Sequence, residues 1–174
     1  MRRLILFRHA KAVPATAGDD RARPLSETGR ADAAAMGLWL AAEGLAPDLA
    51  LVSNSARTRE TWDLARPAFG EARLDILDDL YDAGPQRLAR IWAEVGDEAA
   101  ATMIVGHNPG LQAFALDLLK KGAHSAGLTA EVSSAFPPAM AVAFTFDAAG
   151  RPVFDGLFNP RRAPTAAPAR DRAT

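Results

Sequence analysis

The sequence predicts an α/β fold: a three-layer sandwich with a mostly parallel central sheet and helices on both faces. Three observations predict it. Short apolar runs alternate with segments of helical periodicity along most of the chain, the order that joins parallel strands through helices. Gly and Pro mark the boundaries between them. Three of the runs end in polar residues, at Arg8-His9, at "SNSAR" (53–57) and at "GHNPG" (106–110). In open α/β sheets the carboxyl ends of strands are where ligands bind.

Each element has its own signal. Residues 3–8 read as a buried strand, and 10–25, with Pro14, Gly18 and Pro24, as a long polar loop. Ser26 is an N-cap for a helix over 27–43, with Ala33, Met36 and Leu40 on one face and Gly44 beyond its end. "LALVS" (49–53) is the second strand. The next helix starts near Ser55, with Thr58, Trp62, Ala65 and Phe69 at helical spacing, and Pro67 ends it early. "RLDIL" (73–77) is a short strand. Pro85 opens a helix at its first turn, where a missing N–H is harmless, and Gly96 stops it. "ATMIV" (101–105) is a strand, and "NPGLQAFALDLLKKG" a helix ended by Gly122. Residues 123–138, containing Gly, Ser and Pro, read as a loop. Residues 139–147 and 152–158 are the last strands, joined by a turn at 148–150. Residues 1–158 form one domain, and the Pro-, Ala- and Arg-rich stretch 159–174 reads as a disordered tail.

Composition narrows the function. With 174 residues, 49% of them apolar, the chain suits one core. A formal charge of −1 lacks the basic bias of a general nucleic-acid binder. There is no Cys, hence no disulfide and no thiolate metal site. The apolar run after Arg3 is too short for a signal segment or a membrane span. A soluble cytoplasmic protein is the default expectation.

Arg8, His9, Arg57 and His107 gather at the strand ends, with Arg23 from the first loop. Each alone has a plain reading: a solvated arginine, or a hydrogen-bonded structural histidine. Together they fit an anion pocket better than five separate accidents. Arg57 at a helix start, where cations are mildly disfavoured, points to an anion nearby. The three histidines, His9, His107 and His124, show no metal-ligand spacing, and arginines beside two of them would repel a cation. Phosphate matches several guanidiniums best, because its oxygens accept bidentate pairs. A neutral imidazole can take a phosphoryl group, and neighbouring guanidiniums keep the ring unprotonated. A unit pair at 4 Å is worth about 4 kcal/mol at an effective dielectric of 20, so several such contacts could replace a metal ion.

The motifs resemble those of a known family. "LFRHAKA" resembles the Arg-His-Gly signature of the histidine phosphatase (phosphoglycerate mutase-like) superfamily. "SNSARTRET" (53–61) is similar to its second block, "VGHNPGL" to its distal histidine block, and "RPLSETGR" (23–30) to a stretch of the small SixA-type phosphohistidine phosphatases. The resemblance runs over residues 3–158 and implies a phosphoglycerate mutase-like fold. It also implies His9 as the phosphorylated nucleophile, Arg8, Arg57 and His107 around the phosphoryl oxygens, and Arg23 holding phosphate or substrate. No cofactor and no metal are implied. The implied substrate is a phosphohistidine-bearing protein such as a phosphotransfer domain, with neither nucleic acid nor membrane as a partner.

Three departures stand out. Ala10 replaces the usual Gly, and a left-handed backbone there would be strained. Asn54 replaces a Pro. Many relatives place a general acid after the third strand, where this chain has Asp78, Asp79 and Asp82; Asp79 is best placed, and a solvated loop carboxylate is the competing reading. The expected activity is a metal-independent phosphohistidine phosphatase. The alternatives are a small-molecule phosphomonoesterase or mutase, and a non-catalytic phosphate-binding module.

Overall fold

A computed structural model describes residues 2–15 and 18–162. Residues 163–174, most of the stretch expected to be a tail, lie outside the described residues. Six strands form one sheet: β1 (Arg2–Arg8), β2 (Leu49–Ser53), β3 (Arg73–Leu77), β4 (Ala101–Gly106), β5 (Ala141–Phe146) and β6 (Pro152–Phe158). Their spatial order is β3-β2-β4-β1-β5-β6. The first four run parallel, β5 pairs antiparallel with β1, and β6 antiparallel with β5. Only β5 therefore runs against the rest, which is the mostly parallel sheet that the sequence predicts.

The helices are α1 (Glu27–Ala42), α2 (Ala56–Ala65), α3 (Pro85–Val95), α4 (Gly110–Lys121) and α5 (Ala126–Ser134). Successive side chains of a strand point to opposite faces, and the core splits accordingly. Leu4, Leu6, Leu49, Leu51 and Ile104 pack with α3 and α4. Ile5, Phe7, Ala50, Val52, Met103 and Val105 pack with α1 and α2. A strand buried on both faces needs a continuous apolar run, which β1, β2 and β4 have.

Local signals act as expected. The Ser26 hydroxyl accepts from the Gly29 N–H to start α1, and Gly44 follows its end at φ +71°. Pro67 limits α2, which passes into a 3-10 turn over Arg66–Ala68. One expectation fails. Residues 123–138 are not all loop, because α5 occupies Ala126–Ser134. The Ser125 hydroxyl caps it by accepting from the Leu128 N–H, Val132 is fully buried, and Gln112 of α4 donates to the Val132 and Ser133 carbonyls. With so few apolar residues, α5 forms through its cap and its packing on α4 rather than through periodicity. Residues 159–162 turn against the domain, and Arg162 pairs with Glu131 of α5. Among the described residues no helix is long and apolar enough to cross a membrane.

Candidate active site

Parallel strands bring their carboxyl ends to one edge, and register decides what meets there. Arg8 lies opposite Gly106, and Val52 opposite Val105. The next residues, His9, Ser53 and His107, therefore emerge side by side. His9 and His107 are buried, with ring centroids 5.2 Å apart.

Helix α2 is bolted to these strand ends by its threonines. The Thr58 hydroxyl donates to the Ser53 carbonyl at 2.6 Å. Thr61 accepts from the Ala10 N–H at 3.0 Å and donates to the Arg57 carbonyl at 2.7 Å. The four-residue spacing from Arg57 to Thr61 thus fixes Arg57 relative to the residue that follows His9. Ala10 is fully buried and is not among the described residues with positive φ, so its methyl group is accommodated without strain.

The hydrogen bonds fix both imidazole tautomers. Nδ1 of His9 lies 2.8 Å from the Ala10 carbonyl oxygen. A carbonyl only accepts, so Nδ1 carries the proton and Nε2 the lone pair. Nδ1 of His107 lies 3.3 Å from an Arg57 guanidinium nitrogen, which only donates. Nδ1 of His107 therefore accepts, and its Nε2–H donates to Ser53 Oγ at 2.8 Å. Burial is the main force that lowers the His9 pKa to about 4, with Arg57, Arg8 and Arg23 adding to it against the opposing hydrogen bond to Ala10. Burial also lowers the His107 pKa to about 3, helped by His9 and Arg57. Both rings are neutral near pH 7.

The arginines converge on this pair. Arg57 is almost fully buried, although a guanidinium is costly to bury unpaired. It donates to the Asp20 backbone carbonyl at 2.7 Å and to the Asp20 carboxylate at 3.0 Å. Arg8 donates to the Phe136 carbonyl, beyond α5, at 2.6 Å. Arg23 pairs with the other Asp20 oxygen at 3.0 Å. Each of the three keeps a buried Nε–H with no protein acceptor among the described residues. Among the described residues the cluster has more donors than acceptors, as an oxyanion site requires.

The structure thus brings Arg8, His9, Arg23, Arg57 and His107 together. Asp79 lies on the 3-10 turn after β3 (Asp78–Leu80), with its carboxylate exposed and 3.9 Å from Arg87. Asp78 reaches Asn54 and Arg21, each at 3.0 Å. The residue of this connection that faces the cluster is Tyr81. Its ring packs edge-on against His107 at 5.4 Å, and its hydroxyl donates to the Asp20 carboxylate at 2.6 Å. Sequence reasoning missed Asp20 and Tyr81. The available signal was the chain's single Tyr, two residues past Asp79; Asp20 sits in a polar run that reads as loop. Among the described residues no three His, Cys, Asp or Glu side chains are grouped to hold a metal ion.

Comparisons with known proteins fit this geometry. Residues 4–109 match the family model described as the histidine phosphatase superfamily, branch 1. An uncharacterized protein of Mycobacterium tuberculosis is 32% identical over 131 residues, covering 75% of this chain and 81% of that protein. The crystal structure of a candidate phosphohistidine phosphatase SixA from Agrobacterium tumefaciens superposes with a TM-score of 0.81 at 29% identity, over 91% of this chain and 98% of that one. A candidate SixA from Nakamurella multipartitia gives a TM-score of 0.81 at 26% identity, over 92% and 97%.

Proposed function

The chain belongs to the histidine phosphatase superfamily, and from that premise we propose that it hydrolyses phosphohistidine in proteins through a phosphorylated His9. The observation that carries this reading is the His9 ring. It is neutral and buried, its Nδ1–H is tied to a carbonyl, and the Arg57, Arg8 and Arg23 guanidiniums act on it electrostatically.

In the first step Nε2 of His9 attacks phosphorus. The bond from phosphorus to the substrate's ring nitrogen breaks, and its electron pair leaves with that nitrogen. The negative charge on the equatorial oxygens falls to Arg8, Arg57 and Arg23. The positive charge that develops on the His9 ring is spread through Nδ1–H to the Ala10 carbonyl. In the second step water attacks phosphorus, the bond to Nε2 breaks, the pair returns to His9, and orthophosphate and a proton are released. Within the pocket Arg57 is aimed by its neighbour His107, whose ring Ser53 fixes from the other side.

The leaving group favours phosphohistidine over phosphate esters. Expelling an alkoxide near neutral pH requires a proton from a placed acid. The Asp79 carboxylate is solvent-exposed, 3.9 Å from Arg87. The Asp20 carboxyl is held below the ordinary carboxylate range, chiefly by the Tyr81 hydrogen bond and then by Arg57, so it stays ionised. A phosphohistidine ring can carry its own proton and departs as neutral imidazole. The test compares kcat/KM for a phosphohistidine-bearing phosphotransfer protein and for an alkyl phosphate, in wild type and in Asp79→Asn. The expected result is a strong preference for the phosphoprotein, little changed in the variant. Preference for the ester, with a large loss in Asp79→Asn, would establish a phosphomonoesterase instead.

A further inference from the structure

We infer that Asp20 is an internal competitor for the anion pocket: its carboxylate lies on the guanidiniums of Arg57 and Arg23 and must be displaced by the incoming phosphoryl group. This rests on reading the pocket as a phosphoryl site. Four contacts hold it there. One carboxylate oxygen accepts from Arg57 at 3.0 Å and from the Tyr81 hydroxyl at 2.6 Å, the other pairs with Arg23 at 3.0 Å, and the Asp20 backbone carbonyl accepts from Arg57 at 2.7 Å.

A carboxylate spanning two guanidiniums and a phenol uses the same planar, bidentate recognition that a phosphate would. Arg57 comes from a helix start and Arg23 from the first loop, and the Asp20 carboxylate bridges them. The carboxylate is also the accessible member of the set. Its side chain is 46% exposed, whereas that of Arg57 is 5% exposed. It therefore lies on the solvent side of Arg57, on a short 3-10 turn (Asp20–Ala22) outside the sheet.

The consequence is a threshold. A ligand's apparent affinity is reduced by the fraction of molecules whose site is free to receive it. A dianionic phosphoryl group attracts Arg57 and Arg23 more strongly than a carboxylate does and displaces it. Asp20 thus lowers the affinity of every anion that needs these atoms by one common factor, and the Tyr81 hydroxyl sets how firmly the carboxylate stays.

Calorimetric titration of the full chain with orthophosphate and with sulfate tests this without relying on turnover. Asp20→Asn keeps the side-chain shape and removes the charge. It is expected to bind orthophosphate about tenfold more tightly, the factor for a site that is self-occupied nine times in ten, and to bind sulfate more tightly by the same factor. Tyr81→Phe, which leaves every charge in place, should shift both in the same direction by less. If Asp20 serves instead to aim Arg57, both variants bind orthophosphate more weakly than wild type, and the inference is overturned. Unchanged affinity in Asp20→Asn overturns it as well. The variants' melting curves identify any that fails to fold, and the other variant then decides. A protein that shows the tighter binding but never turns over phosphohistidine would sink the proposed function and leave this inference standing.

Discussion

Nδ1 of His9 has one bond, to the carbonyl of its own neighbour, and the consequences run through the whole site. A ring tied in that way cannot rotate to present Nδ1, so Nε2 is its reactive atom. The low pKa values of His9 and His107, about 4 and about 3, also link the site to stability. In the unfolded chain both rings titrate near 6.5, so between the two values the unfolded state binds protons that the folded state does not. Stability therefore rises with pH through that window, is complete above the unfolded value, and falls as pH drops toward the folded one. Asp20, whose pKa is also lowered, acts in the same direction at the acid end. The melting temperature is expected to be several degrees lower at about pH 5 than at about pH 7.5, and His107→Gln should flatten that slope. A melting temperature that rises on acidification would contradict the neutral-imidazole assignment.

At the scale of elements, strands were the most legible feature. β1, β2 and β4 carry continuous apolar runs because both faces are covered, and their polar ends are abrupt because the runs stop at an open edge. Helix α5 was hidden, because composition cannot report a helix held by a cap and a neighbour. Also invisible were close approaches between helices. A Cβ on Gly37 of α1 would lie 2.5 Å from the Ala65 carbonyl of α2, so the two helices cross with nothing between them. Gly37→Ala must push them apart and is expected to cost about 1–3 kcal/mol in urea denaturation. Gly127 of α5 has open space around its would-be Cβ. Gly127→Ala should then be neutral or stabilising by up to about 1 kcal/mol, as helix propensity dictates. Equal losses from both would mean that the helix packing is wrongly described.

For the molecule as a whole, the cluster of Arg8, His9, Arg57 and His107 could be read from the chain because a parallel sheet gathers strand ends. Ends that share an unusual chemistry become neighbours by topology alone. Arg23 could be placed with them because of its motif. Asp20 and Tyr81 could not. Their hydroxyl–carboxylate contact joins two loops 61 residues apart, and no periodicity governs how loops fold over a site. Alternation and capping thus legislate for elements, whereas the loop contacts that tune the pocket depend on side-chain geometry that only the structure supplies.

In the proposed mechanism His9 carries the phosphoryl group, and rapid-quench labelling can catch it there. The full chain is mixed with a phosphohistidine protein labelled on phosphorus, stopped in alkali within milliseconds to seconds, and mapped by peptide. The expected result is an alkali-stable, acid-labile phosphate on His9 that appears before free orthophosphate and decays as it accumulates, and that is absent from a folded His9→Ala protein that no longer turns over. Label on another residue, or turnover at the wild-type rate by His9→Ala, would contradict it.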